Sequence, residues 1–170
     1  SFNPLLNLNA IENDISQRND IVNIFFDISP VKNFNYRLNL SRRSWNYKGL
    51  NYNSLKSESG VANGSANGSI YYQENEEWMI ENIFNYKMQI KNNNNLDFTG
   101  VISTNEQNYY NFRNSASRIP NDILGIYGLQ AALINVPTIG GYQRRIVSGA
   151  ARIQYDYSSK YYATLTARAD

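Results

Sequence analysis

The feature that most constrains this chain is a two-residue rhythm of apolar and polar side chains, clearest in residues 83–102. Phe84, Tyr86, Met88 and Ile90 alternate there with Asn85, Lys87, Gln89 and Lys91, and Leu96, Phe98, Gly100 and Ile102 repeat the pattern. A period of two places the apolar set on one face of a strand and the polar set on the other. Asn92 to Asn95 stand between the two halves, and asparagine tolerates the left-handed backbone of a tight reversal. The stretch therefore predicts a β-hairpin with one apolar and one wet face.

The same rhythm recurs along the chain. Ile21 to Ile28 form a β-branched and aromatic run closed by Ser29-Pro30, and Phe34, Tyr36, Leu38 and Leu40 alternate with Asn35, Arg37, Asn39 and Ser41. Ile70 to Gln73 and Tyr109 to Arg113 predict shorter strands. Val147, Gly149, Ala151, Ile153, Tyr155 and Tyr157, then Tyr161, Ala163, Leu165 and Ala167 beyond Ser158-Ser159, predict a terminal hairpin. The 27 asparagines and 14 tyrosines suit many strands joined by many turns. The predicted fold is all-β, one domain over residues 1–170. It is an antiparallel barrel or sandwich of about eight to ten strands with at most one or two short helices. Small residues alternating with tyrosines in the last hairpin favour the barrel.

Between the strands, Leu5, Leu8, Ile11 and Ile15 are spaced by three and four, which predicts an arm or short helix within residues 1–20, capped by Asn9 or Asn13. Residues 57–69 carry Asn63-Gly64-Ser65 and its copy Asn67-Gly68-Ser69, two turn signals that predict an exposed flexible loop. Both triplets also fit the glycosylation acceptor pattern, although a plain connector is the commoner reading in so Asn-rich a chain. Glu74, Glu76, Glu77 and Glu81 predict an acidic, solvated turn, and Asn114 to Ser117 a loop. Residues 123–136 fit a strand buried on both faces or a helix capped by Asn121 or Asp122, and Gly125 and Gly128 favour the strand. Pro137 to Gly141 predicts a break, with Gly140-Gly141 as its turn. Ile139-Gly140-Gly141 followed by Gly149-Ala150 and an alternating strand resembles the Gly-Gly…Gly segment of dirigent and allene-oxide-cyclase-like β-barrels. The resemblance implies a barrel and carries no functional residue across.

The chemistry available is narrow. With no histidine and no cysteine, the chain has no Ser-His-Asp or Cys-His arrangement, no disulfide and no usual zinc site. No phosphate-binding loop, nucleophile elbow or calcium loop is present. The sequence leans against an enzyme and implies no cofactor and no metal. A carboxylate hydrolase built on Glu74, Glu76, Glu77 or Glu81 ranks last. A net charge of +2 does not call for a nucleic acid, and the doublets Arg42-Arg43 and Arg144-Arg145 suit strands that resist edge pairing. No apolar run has the length of a membrane-spanning helix. The sequence opens on Ser1 rather than Met, which predicts that an N-terminal piece such as a signal peptide lies outside it.

Aromatic and arginine side chains remain as candidate contacts: Arg42, Arg43, Trp45, Tyr47, Tyr52, Trp78, Tyr109 and Tyr110, with Trp45 foremost because Arg42-Arg43 precede it. Two functions fit. The first is a non-catalytic structural or adhesive domain that binds a protein, a second copy, a surface or a glycan, outside the cytoplasm or in a virion. The second is a small barrel whose interior pocket holds an apolar ligand.

Overall fold

The computed structural model describes residues 4–90 and 94–170. In chain order it has helix α1 (Pro4–Ala10), strands β1 (Ile11–Val31) and β2 (Phe34–Asn53), helix α2 (Glu58–Asn63), strands β3 (Ala66–Gln89) and β4 (Asn94–Ile119), a 3-10 helix (Gly125–Ala131), and strands β5 (Ile134–Tyr157) and β6 (Tyr161–Ala169). The six strands form one antiparallel sheet in the order β1-β2-β3-β4-β5-β6. The all-β expectation holds, but the sheet is not closed into a barrel.

The strands are fewer than expected because they are longer. β1 to β5 each have 20 or more residues, and the signals taken for strand ends lie inside them. Ser29-Pro30 falls in β1, an edge strand, where a missing N–H is tolerated. The acidic group is no turn. It lies in β3, where Glu77 accepts from Asn105 (2.7 Å) and Glu81 from Asn39 (2.8 Å). Asn114 to Ser117 belong to β4, and Pro137 to Gly141 to β5. Gly141 is there for space, since a Cβ would meet the Tyr109 carbonyl oxygen at 2.7 Å.

Among the described residues three short helices stand where at most one or two were expected. α1 holds Leu5 and Leu8 but stops at Ala10, so Ile11 and Ile15 are in β1, and neither Asn9 nor Asn13 caps its start. The 57–69 stretch is ordered rather than wholly loop. Ser57 caps α2 by accepting the Gly60 N–H (2.9 Å), Gly64 ends it in the left-handed region, and β3 has begun by Ala66. Gly60 has no substitute, because a Cβ would lie 2.0 Å from the Ser54 carbonyl oxygen. The strand reading of 123–136 is overturned for its first half: Ile126 and Leu129, three residues apart, turn inward from the 3-10 helix, and β5 starts only at Ile134. β3 and β4 form the predicted central hairpin, closed by Ile90 N–H to the Asn94 carbonyl (2.8 Å), although Asn92 and Asn93 of its turn lie outside the described residues. The predicted terminal hairpin is present, with Tyr157 opposite Tyr161 and Gly149 opposite Ala169.

Residue contacts divide the chain into two units. Unit 1 comprises residues 1–19, 44–75 and 109–142, and unit 2 residues 20–43, 76–108 and 143–170. Every buried residue among those described is in unit 1. Its core is Tyr52, Ala66, Ala116, Ile119, Ile126 and Leu129. Tyr52 donates its hydroxyl to Asp122 (2.8 Å), and the same carboxylate accepts the Leu55 N–H at 3.0 and 3.1 Å, which ties β2 to the segment before the 3-10 helix. Burial, and then the Asp122 contact, pushes the Tyr52 phenol well above its ordinary range. The folded unit thus favours the neutral phenol. Its contribution is fully present below the usual tyrosine pKa of about 10 and falls away as pH rises beyond it. Tyr52→Phe is expected to cost unit 1 about 1 kcal/mol at neutral pH and to flatten the alkaline fall. Denaturant midpoints at pH 7 and pH 10.5 check both, and an unchanged midpoint at pH 7 would count against the Asp122 tie.

In unit 2, cross-strand contacts sort the side chains into two faces. Ser41 with Asn23, Arg37 with Asp27, Asn39 with Glu81, Thr99 with Asn85 and Asn105 with Glu77 share one. Tyr36 with Phe84, and Tyr157 with Tyr161, mark the other. Val22, Ile24, Phe26 and Ile28 of β1 share the second face by alternation, as do Phe98 and Ile102 of β4, Val147 and Ile153 of β5, and Leu165 of β6. All are exposed.

Candidate functional site

The polar side of unit 1 carries a cluster of rings joined by amides. Trp45 and Tyr47 lie 6.2 Å apart, Tyr47 and Tyr71 meet edge to face at 5.7 Å, and Tyr109 stacks on Tyr142 at 5.1 Å. The Tyr71 hydroxyl donates to Gln73 (3.1 Å), and the Gln73 amide in turn donates to the Tyr109 hydroxyl. The Asn111 amide also reaches Tyr109 (3.3 Å). Burial, followed by the hydrogen bond with Tyr109, pushes the Tyr71 phenol up. Tyr71 therefore stays a neutral donor and acceptor at physiological pH, and the cluster offers flat faces for a ligand ring or chain.

These positions follow from alternation. Trp45, Tyr47 and Asn51 share one side of β2, Asn67, Ser69, Tyr71 and Gln73 one side of β3, and Tyr109, Asn111 and Arg113 one side of β4. On the same strands is a cleft of about 630 Å³, lined by Asn51, Asn67, Ser69, Ser117, Arg113 and Arg118 with further small and hydroxyl residues.

The candidates named from sequence are scattered over several settings. Trp45, Tyr47 and Tyr109 belong to the ring cluster. Tyr52 is in the core. Arg42 and Trp78 are in unit 2, where Arg42 pairs with Glu76 (2.5 Å) and lies over the Trp78 ring at 5.2 Å. Arg43 and Tyr110 are exposed and join neither group. Tyr71, Gln73, Asn111, Tyr142, Arg113 and Arg118 were missed, although for Tyr71, Gln73, Asn111 and Arg113 the odd-numbered alternation through Tyr47 and Tyr109 was signal enough. The small-barrel reading required a sheet closed around an apolar pocket, and this sheet is not closed. Among the described residues no group of three or more acidic side chains is placed to hold a metal ion, and no helix is long and apolar enough to cross a membrane.

No protein-family model matches the sequence. Among curated proteins, the TonB-dependent receptor P26 of Formosa agariphila is 26% identical over 171 residues, which take in 99% of this chain and 17% of the receptor. The chain is similar to part of that receptor. Among solved structures, the RagAB peptide transporter superposes with a TM-score of 0.82 at 14% identity, covering 94% of this chain and 18% of that one. The RagAB peptide importer gives a TM-score of 0.82 in its closed-closed state and 0.72 in its open-open state. At that identity the likeness is one of fold. The chain spans less than a fifth of the length of the curated relative and of these structures.

Proposed function

We propose that this chain is part of the wall of a membrane-spanning β-barrel receptor that takes up a ligand. Unit 2 is its lipid-facing band, and unit 1 carries side chains that touch the ligand. The observation that supports this most is the apolar face of unit 2, exposed on β1, β3, β4, β5 and β6 and half-buried on β2 between them. In water such a face is an aggregation site. Against acyl chains it is the solvated side, and the polar face then lines the lumen.

Dimensions agree. β1 to β5, of 20 to 26 residues, are more than long enough to cross a bilayer, which takes about 9–11. Trp78 and Tyr86 share the apolar side of β3. At ~3.4 Å per residue they stand roughly 27 Å apart, close to the ~25 Å band that aromatic girdles flank. Tyr155, Tyr157 and Tyr161 continue the girdle beside Tyr86, near the short Ser158–Lys160 turn. The connections that carry α2 and the 3-10 helix belong to unit 1, as the longer loops of such barrels would. β1 is a 21-residue edge strand with nearly every residue exposed, a length of unpaired backbone that lipid does not tolerate and further strands would close. The similarity to a TonB-dependent receptor and the fold likeness to a peptide transporter point the same way, to uptake across a membrane at the cell surface.

The test uses the full-length protein in vesicles, cleared of any cysteine outside this chain (which has none of its own), with single cysteines at Leu165→Cys and Thr164→Cys. A fluorophore at 165 is expected to be strongly quenched by nitroxide-bearing acyl chains and one at 164 weakly. Equal quenching at the two sites would overturn the proposal.

A further inference from the structure

We infer that the unit 1 cleft is a subsite for an acidic sugar, a saccharide bearing carboxylate or sulfate groups. The inference rests on the uptake reading and names the ligand class. Two arginines, Arg113 and Arg118, both exposed, line the cleft, and no acidic residue does. Four other arginines have carboxylate partners: Arg37 with Asp27, Arg42 with Glu76, Arg145 with Glu106 and Arg168 with Asp170. Neither Arg113 nor Arg118 has a guanidinium hydrogen bond or ion pair among the described residues. Two like charges on one cleft, left without a counter-charge, form an anion site, and the guanidinium fork suits the paired oxygens of carboxylate or sulfate.

The rest of the lining selects the body of the ligand. Asn51, Asn67, Ser69 and Ser117 offer donors and acceptors together, as ring hydroxyls require. Ala116 and Gly68 are the only apolar residues on the cleft, so there is no pocket for a large apolar peptide side chain. Along the same side of β4, Tyr109 is four residues from Arg113, roughly 13 Å at the strand rise. A ring stacked on Tyr109 or Tyr71 therefore leaves room for a neighbouring sugar to bring its anion to Arg113. The volume of about 630 Å³ is that of an ordinary small-ligand site.

Calorimetric titration of the full-length protein tests this with four probes: trigalacturonate, its neutral methyl ester, triglutamate and sodium sulfate. Trigalacturonate is expected to bind at least about tenfold more tightly than the other three, and more weakly as salt rises. Arg113→Gln, and Arg118→Asn (asparagine accepts the left-handed backbone at 118), are each expected to weaken it about tenfold and leave the ester unchanged. Equal binding of acid and ester would overturn the anion site. Triglutamate binding as tightly would overturn the sugar assignment, and sulfate binding as tightly would reduce the cleft to an adventitious ion only. Because the lipid quenching of a label at 165 does not depend on ligand, absent trigalacturonate binding with that quenching intact would sink the subsite and leave the wall proposal standing.

Discussion

Ile153→Arg is expected to lower the stability of the membrane-inserted protein by about 2–4 kcal/mol, while Gln154→Arg, one residue on, costs less than about 1 kcal/mol. Ile153 lies opposite Leu165 in the β5–β6 register, and both present aliphatic surface on the apolar face of unit 2. A guanidinium there must be drawn into hydrocarbon or distort the bilayer around it. Gln154 points to the other side, where it shares a polar recess with Lys87, Asp97 and Asp156. Urea unfolding from lipid vesicles separates the two variants. If the costs are equal, or Gln154→Arg costs more, the assignment of faces is wrong and the wall proposal goes with it.

Ile119→Ala is expected to cost unit 1 about 2–5 kcal/mol, and Ile119→Val only about 0.5–1.5 kcal/mol. Ile119 is 1% exposed at the end of β4, and a Cβ on Gly128 would lie 3.9 Å from its Cγ2. Few residues surround it. With six apolar side chains in the cluster, the core has little freedom to collapse around a cavity. Hydrogen exchange is expected to rise first in residues 55–66 and 119–132, which hold α2 and the 3-10 helix together. If the alanine variant matched the valine variant, the cluster would not be what secures that region.

The strand faces were legible because alternation acts locally: Phe34 to Ser41, Phe84 to Ile90 and Val147 to Tyr157 each declared a wet and a dry side that the structure keeps. Which side met what was not legible. An inward apolar face is the ordinary expectation for a chain in water, and the same rhythm arises when the surroundings supply the oil. Strand ends misled for a related reason. Turn-forming residues such as Pro30, Asn114 and Gly141 are tolerated inside long strands where an edge, a side-chain partner or a neighbouring carbonyl accommodates them. Of the site, Trp45, Tyr47 and Tyr109 were visible as aromatics, whereas Arg113 and Arg118 looked like ordinary surface charge. Their meaning comes from what is missing around them, and that only three-dimensional neighbours reveal.

Unit 2 has no interior, since among its described residues none is shut away from its surroundings. What it is made of depends on the medium it is put in. Detached from hydrocarbon, its broad oily side would become glue between molecules, and such material should clump while its hydrogen-bonded ladder is still whole.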